Sequence, residues 1–373
     1  MNSYQIAIIG GGPAGSSCAL ALARLGIKEV VIIESGAHDQ FKIGESIPPE
    51  SKTILRHLGI WNAFKAEKHD PCYGSCSYWG DNKRGYNDFL LSPYGHGWHL
   101  DRSRFDRFLF REAQKAGTHC LLNTQYKRAS KLTTGGFELV LQDSNSKEQI
   151  IQAQLVVDAT GSRSLFALQQ GSKKIHTEPL ICLAARFEFD PIHTPISKLT
   201  QIEASEYGWW YAARLPQHQF LVGLYTDAIT IKQRKLQQVE TWQKLLDQLP
   251  VISQSTRKMQ LKKETFKGFP APSFCLDKMV GRHWIAIGDA ATAYDPITSQ
   301  GIMKSMSNGI AAAQTLQQKI TQPKSRFINF QSITKERYKQ YLAMRQHFYQ
   351  LEKRWPQAPF WAKYQQTVAL NNT

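Results

Sequence analysis

Tyr4-Gln-Ile-Ala-Ile-Ile-Gly10-Gly-Gly-Pro-Ala-Gly15, an alanine-rich run, and then Val30-Val-Ile-Ile-Glu34 decide how this chain folds. The order is a short apolar strand, a glycine turn, a small-residue helix, a second apolar strand and an acid. Gly10 permits the tight turn, Gly12 lets the backbone approach a pyrophosphate, and Gly15 allows the helix to pack close to the sheet. Pro13 and Ala14 open the helix, whose unpaired N–H groups and positive dipole end favour phosphate. Glu34, followed by Ser35, ends the second strand, where its carboxylate can accept both hydroxyls of a ribose. The spacing predicts an α/β fold that binds an adenine dinucleotide near its N-terminus.

A chain of 373 residues is long enough for two domains or one large elaborated domain. Its 42% hydrophobic and 20% charged content is that of a soluble globular protein. No apolar run approaches the ~20 residues that a transmembrane helix needs. The N-terminal apolar run has no basic region before it and is used as a strand, so no signal peptide and a cytoplasmic location are expected. Cys18, Cys72, Cys76, Cys120, Cys182 and Cys275 form no C-x-x-C pair and no metal set. Reduced, buried thiols and no structural metal are the expectation.

The balance of 46 Lys+Arg against 30 Asp+Glu gives a net charge of +16. Residues 228–267 hold nine basic and three acidic residues, and residues 324–354 hold eight and two. Such windows aid solubility or steer an acidic partner. With no nucleic-acid motif beside them, a protein partner ranks first, anionic membrane second and nucleic acid last.

Residues 50–67 read as a helix with Ile54, Leu55 and Leu58 on one face. Phe105 to Ala116 reads as another, with Ser103 as N-cap and Gly117 after its end. Leu121–Gln125, Phe137–Gln142 and the apolar run Gln154-Leu-Val-Val-Asp158 read as strands. Ile181–Phe189, Gly208–Leu215 and Gln219–Tyr225 are aromatic-rich strands without intervening helices. Thr230–Leu249, Lys304–Gln317 and Ile333–Lys353 carry helical patterns. The expected division is 1–70, 100–180 and 276–320 for nucleotide binding, 71–99 and 181–275 for a substrate sheet, and 321–373 for C-terminal helices.

Three further segments complete one constellation: Asp158-Ala-Thr-Gly161 and Gly288-Asp289 at strand ends, and Asp295-Pro296-Ile-Thr-Ser-Gln-Gly301 leading into a helix from Ile302. A helix N-terminus there can stabilise negative charge on a ring. With Gly10/Gly12/Gly15, Glu34 and Arg102, these segments resemble the FAD-dependent monooxygenase superfamily with the hydroxybenzoate-hydroxylase type of FAD fold. The resemblance implies FAD, molecular oxygen, and electrons from NAD(P)H or a separate reductase. It implies cofactor contacts at Gly10, Gly12, Pro13, Ala14, Gly15, Glu34, Ser35, Arg102, Asp158, Gly161, Gly288, Asp289, Pro296, Gly301 and Ile302.

Lys42-Ile-Gly44-Glu45-Ser46-Ile-Pro-Pro49 is similar to the G-E-[ST]-x-x-P segment of the flavin-dependent halogenase branch, and adds Gly44, Glu45 and Ser46 to the implied cofactor set. Halogenases carry a lysine roughly 25–30 residues after that segment. Here Pro71-Cys-Tyr-Gly-Ser-Cys-Ser-Tyr-Trp79 has none, and Thr298 stands where the branch has a glutamate. Both departures argue against halogenation and leave hydroxylation open.

Within the branch, Trp209-Trp210-Tyr211, Tyr225-Thr226-Asp227, Glu352-Lys-Arg-Trp355 and Pro359-Phe-Trp361 look most like the flavoproteins that mature tryptophylquinone amino-acid oxidases. That resemblance implies hydroxylation of a tryptophan in a precursor protein, with Trp209, Trp210 and Tyr211 lining the substrate pocket. Packing of the same three residues as core is the competing reading. A monooxygenase of small aromatic molecules and an FAD-dependent reductase of isoprenoid double bonds are the alternatives. No residue is singled out as catalytic base. His96 and His99 read as structural, and the Tyr338, Tyr341, Arg345, Phe348 stripe as a helix docking face.

Overall fold

The first strand, Asn2–Ile9, seeds the larger sheet by pairing in parallel with Val30–Ile33 on one side and Glu148–Asp158 on the other. All four residues of Val30–Ile33 are buried, as a parallel strand covered on both faces requires. His119–Leu121 extends the sheet on one side, and Trp284–Ala286 followed by Val280–Gly281 extends it on the other. Phe137–Gln142 and Gln125–Lys131 add antiparallel pairing. The computed structural model describes residues 2–81, 83–322 and 327–365.

Helices Pro13–Arg24 and Gly301–Thr321 lie against each other at very close range. A side chain at Gly309 would meet Ala14 O at 2.4 Å and Cys18 N at 2.9 Å. Small residues on both helices are therefore what lets residues 13–24 and 301–321 share one core.

A second sheet of seven strands runs in the order Gln260–Pro270, Ile181–Glu188, Gln219–Thr226, Gly208–Leu215, Thr200–Ser205, Gly74–Tyr78 and Arg84–Asp88. All its pairings are antiparallel except that of Thr200–Ser205 with Gly74–Tyr78. The fold is mixed α/β, as the sequence predicts.

Several elements differ from the sequence reading. Residues 50–67 form two helices, Ser51–His57 and Trp61–Ala66, because Gly59 sits at φ +77°, where a right-handed helix cannot continue. Ser103 is not a cap. The helix is Arg102–Lys115, and Asp101 caps it by accepting from Arg104 N at 3.0 Å. The Thr230–Leu249 pattern splits into Ala228–Gln233 and Val239–Asp247, the first capped by Asp227. Leu121–Gln125 is a break between two strands rather than one strand. The C-terminal helices run Gly301–Thr321 and Ile328–Leu351.

The second basic window is partly internal. Arg345 is 4% exposed, with its Nε 3.4 Å from Asp295 Oδ2, and Arg354 pairs with buried Glu352 at 2.6 Å. Lys324 and Arg326 lie outside the described residues.

Candidate functional site

The glycine turn opens one end of a cavity of about 880 Å³. Gly10 at φ +110° has no room for a side chain, because a Cβ would stand 2.2 Å from Ala159 O. Gly12 is different: nothing lies within 4 Å of where its Cβ would be, and it faces the cavity with Pro13 and Ala14. The first turn of Pro13–Arg24 thus presents N–H groups without intrahelical partners to open space. Gly15 is not on the cavity wall; its missing Cβ would sit 1.9 Å from Gly10 O, so its role is close packing.

Glu34 and Ser35 border the same end. Glu34 is held from both sides, Oε2 accepting from Gly11 N at 2.7 Å and Oε1 from Gly36 N at 2.9 Å. A carboxylate has lone pairs left after two such bonds, so it can still accept hydroxyls. Asp158, by contrast, is fully buried and points back into the protein. It accepts from Thr160 N, Thr160 Oγ1 and Ala167 N at 3.0, 2.7 and 2.8 Å. It shapes the turn that puts Gly161 on the cavity wall. Burial raises its pKa, and those donors oppose the rise.

Gly288 is likewise behind the wall, with its N–H donating to Asn308 Oδ1 at 2.7 Å. Asp289 reaches the cavity and is paired with Lys304 Nζ at 2.7 Å. Pro296, Gly301 and Ile302 border the cavity on the loop before the helix Gly301–Thr321. Asp295 holds this loop, accepting from Ile297 N at 3.0 Å.

Arg102 lines the cavity, but its guanidinium is largely spent on the protein. Nη1 donates to Ile43 O at 2.5 Å and Gly44 O at 3.0 Å, and Nη2 lies 3.4 Å from Asp106 Oδ1. Asp106 is buried, which alone would raise its pKa; Arg102 and Lys42 outweigh burial and hold it low. Arg102 thereby fixes the segment carrying Gly44, Glu45 and Ser46, all on the cavity wall.

The aromatic strand divides as period two requires. Tyr211 and Tyr225, the ladder partner of Trp209, line the cavity. The Tyr211 hydroxyl is 2.8 Å from Ser46 Oγ, which is 2.9 Å from Thr200 Oγ1. Trp209 lies one layer back, stacked on Tyr225 at 4.0 Å between ring centroids. Trp210 does not belong to the site. It points to the opposite face of the sheet, packs on Trp242 and donates to Ser205 Oγ at 3.2 Å. Both tryptophans are therefore core, and only Tyr211 of the three borders open space.

Sequence reasoning named Glu45 and Tyr225 without their settings and missed His38. Glu45 is 2% exposed with Oε1 unpartnered, and burial lifts its pKa to about 7 against the pull of Arg102. His38, also on the wall, has both ring nitrogens unpartnered and is kept neutral chiefly by burial. Tyr225 enters only through its register with Trp209. His99 proves structural: fully buried, neutral because burial drops its pKa to about 3, and 2.9 Å from Thr200 Oγ1. The cysteines are unpaired among the described residues, and no His/Cys/Asp/Glu group there could hold a metal. No helix among those residues is long and apolar enough to cross a membrane.

The family model described as FAD binding domain matches residues 3–345, so the chain belongs to that family. LodB of Marinomonas mediterranea, described as an FAD-dependent oxidoreductase, is 28% identical over the full length of both chains (100% of each). Several halogenases also match, three of them described as flavin-dependent and one as a tryptophan 2-halogenase, and the chain spans 61–67% of the length of these four. Among solved structures, the flavin-dependent halogenase CmlS matches with a TM-score of 0.88 at 22% identity, covering 98% of this chain and 68% of that one. The peptidyl tryptophan dihydroxylase QhpG, essential for tryptophylquinone cofactor biogenesis, matches with a TM-score of 0.77 at 20% identity, covering 99% and 80%. The chain is an FAD-dependent oxidoreductase, and its fold is that of solved flavin-dependent halogenases and monooxygenases. The open turn at Gly12, the outward first-turn amides and the fixed Glu34 fit FAD.

Proposed function

We propose that this FAD-dependent oxidoreductase hydroxylates an aromatic ring, and that the ring is a tryptophan side chain of a precursor protein during tryptophylquinone biogenesis. The observation that carries the reading is the wall around Tyr211 and Tyr225. It is built of the two phenol rings and the Ser46 hydroxyl; Asp70–Cys72 and Gly74–Tyr78, which do not border the cavity, carry no lysine, and Thr298 ends the Pro296–Thr298 turn. Such a wall can hold an aromatic acceptor, and the two lysines that border the cavity are engaged elsewhere, Lys42 with Asp106 and Lys127 with Gln125, both at 2.9 Å.

FAD, when bound, supplies the reaction with oxygen. The protein supplies position. The turn from Gly10 and the helix from Pro13 would hold the pyrophosphate, Glu34 the ribose, and Asp289 a sugar-like hydroxyl of the cofactor. Arg102 holds the Gly44–Ser46 segment on the cavity wall, and that segment and the loop Pro296–Gly301 would hold the flavin part of the cofactor. Tyr211 and Tyr225 orient the acceptor and exclude water. The basic window at 228–267 favours an acidic protein partner, because complementary charge raises encounter rates.

A small aromatic acceptor is the second reading, favoured by the burial of Tyr211 and Tyr225 at 9% and 4% exposure, which an indole on a protein must reach by insertion. The experiment is co-expression with a tryptophylquinone amino-acid oxidase precursor, followed by peptide mass spectrometry. Oxygen on one tryptophan, dependent on the chain and on O₂, supports the first reading. An unmodified precursor after complete flavin reoxidation rejects it, and turnover without oxygen would move the assignment to double-bond reduction.

A further inference from the structure

Glu45 is a buried carboxyl on the wall of the FAD cavity whose hydrogen bonds the protein does not complete. Its Oε1 has no partner, although the residue is 2% exposed. Its backbone is fixed: Glu45 O accepts from Leu100 N at 2.7 Å, and Ser46 pairs with His99 in an antiparallel ladder. The next turn of chain is held by Arg102 through Gly44 O. The backbone that carries this carboxyl on the cavity wall is therefore held in place. An unmet buried oxygen is costly, so a proton or a ligand must complete it in the working protein.

The groups facing Glu45 are of two kinds. Arg102, from the helix Arg102–Lys115, and Arg186, from the strand Ile181–Glu188, favour the carboxylate. Cys182, Tyr211 and Tyr225, from three adjacent strands of the second sheet, are pushed upward chiefly by burial and stay neutral. Burial opposes the two arginines, and the balance leaves the Glu45 pKa at about 7. Both protonation states are thus within reach near neutrality, and a further negative charge in the same cavity tips the balance toward the protonated one.

We propose that Glu45 is the proton-exchanging group of this cavity, taking up a proton from solvent when two-electron reduction makes the bound FAD negative and releasing it on reoxidation. The electrons come from NAD(P)H, or from dithionite in the experiment, and end on FAD. One proton accompanies the electrons onto FAD, within the hydride of NAD(P)H or from water with dithionite; a second proton comes from water and ends on the Glu45 carboxylate, and no bond forms between cofactor and protein. The inference rests on FAD binding alone and does not depend on which acceptor is hydroxylated.

The test is the midpoint potential of the holoprotein, measured spectroelectrochemically across about pH 5 to 9. One extra proton per two electrons adds about 30 mV per pH unit, the potential equivalent of a tenfold change in equilibrium constant. Above about pH 7 the wild-type slope is expected to exceed that of Glu45→Gln by this amount, and Glu45→Asp should retain the steeper slope. Equal slopes in wild type and Glu45→Gln overturn the proposal. If Glu45→Gln fails to retain FAD, redox-difference infrared spectra of wild type labelled with ¹³C-glutamate decide. A label-sensitive protonated-carboxyl band arising on reduction above pH 7 supports it, and the absence of one overturns it.

Discussion

The Tyr349 hydroxyl donates a 2.8 Å hydrogen bond to Asp295 Oδ2, joining the last long helix to the loop that runs into Gly301. Asp295 N also donates to Tyr341 Oη at 2.7 Å, and Trp209 Nε1 donates to Tyr349 Oη at 3.0 Å. One carboxylate thus ties the cofactor loop, the aromatic strand and the C-terminal helix together. The stripe read from the sequence as a docking face does dock, with Tyr349 rather than Phe348 at its buried end, and it docks onto the cavity loop.

Tyr349→Phe should therefore loosen the loop. A hydrogen bond to a buried charged group contributes about 1.5–3 kcal/mol, so thermal unfolding should fall by that order. Flavin retention should fall with it, because Asp295 also accepts from Ile297 N beside Pro296. Unchanged melting and unchanged flavin content would show that Arg345 and Ile297 N hold Asp295 without Tyr349.

Gly12→Ala and Gly15→Ala separate cofactor binding from folding. A methyl at Gly12 enters open cavity space, so the apoprotein should melt as wild type does while flavin absorbance per protein drops sharply. A methyl at Gly15 collides with Gly10 O at 1.9 Å, so Gly15→Ala should lower apoprotein stability itself. Equal effects of the two on apoprotein melting would contradict the geometry.

Trp210→Ala and Tyr211→Phe should divide in the opposite sense. Trp210 is fully buried in the far-side core with Trp242, and truncating such a residue costs about 3–5 kcal/mol. Its folded fraction should turn over normally. Tyr211→Phe should keep its fold but lose acceptor-dependent flavin reoxidation by about tenfold, the rate equivalent of 1.4 kcal/mol. Normal acceptor kinetics in Tyr211→Phe would remove the Tyr211 hydroxyl from the site's function.

Acid should destabilise the fold through its buried histidines. Burial lowers the pKa of His69 to about 4 and of His99 to about 3, against 6.5 unfolded. Between those values the unfolded chain binds more protons, so stability rises with pH across that window and is lost as pH falls below about 6.5. His69 has both ring nitrogens unpartnered, so His69→Phe should flatten the profile between about pH 4 and 6.5. A denaturant-midpoint series in that range checks it, and an unaltered slope would exclude His69 as a contributor.

The first sheet was legible because its signals are local. An apolar run, a glycine turn and a small-residue helix lie within 34 residues, and their spacing carries both the fold and the phosphate-binding turn. Helix ends were less legible. Asp101 and Ser103 are both acceptable caps in one dimension, and only backbone conformation chose Asp101.

By itself the sequence determined the α/β class, the FAD turn and the absence of a lysine from the strand at 71–79. Tertiary structure alone decided that Tyr211 faces the cavity and Trp210 the opposite core. Adjacent strand residues alternate faces, and only the sheet's packing says which face is which. It also decided the state of Glu45. A carboxyl's proton affinity is set by burial and by Arg102 and Arg186, groups 57 and 141 positions away along the chain, which no local pattern records.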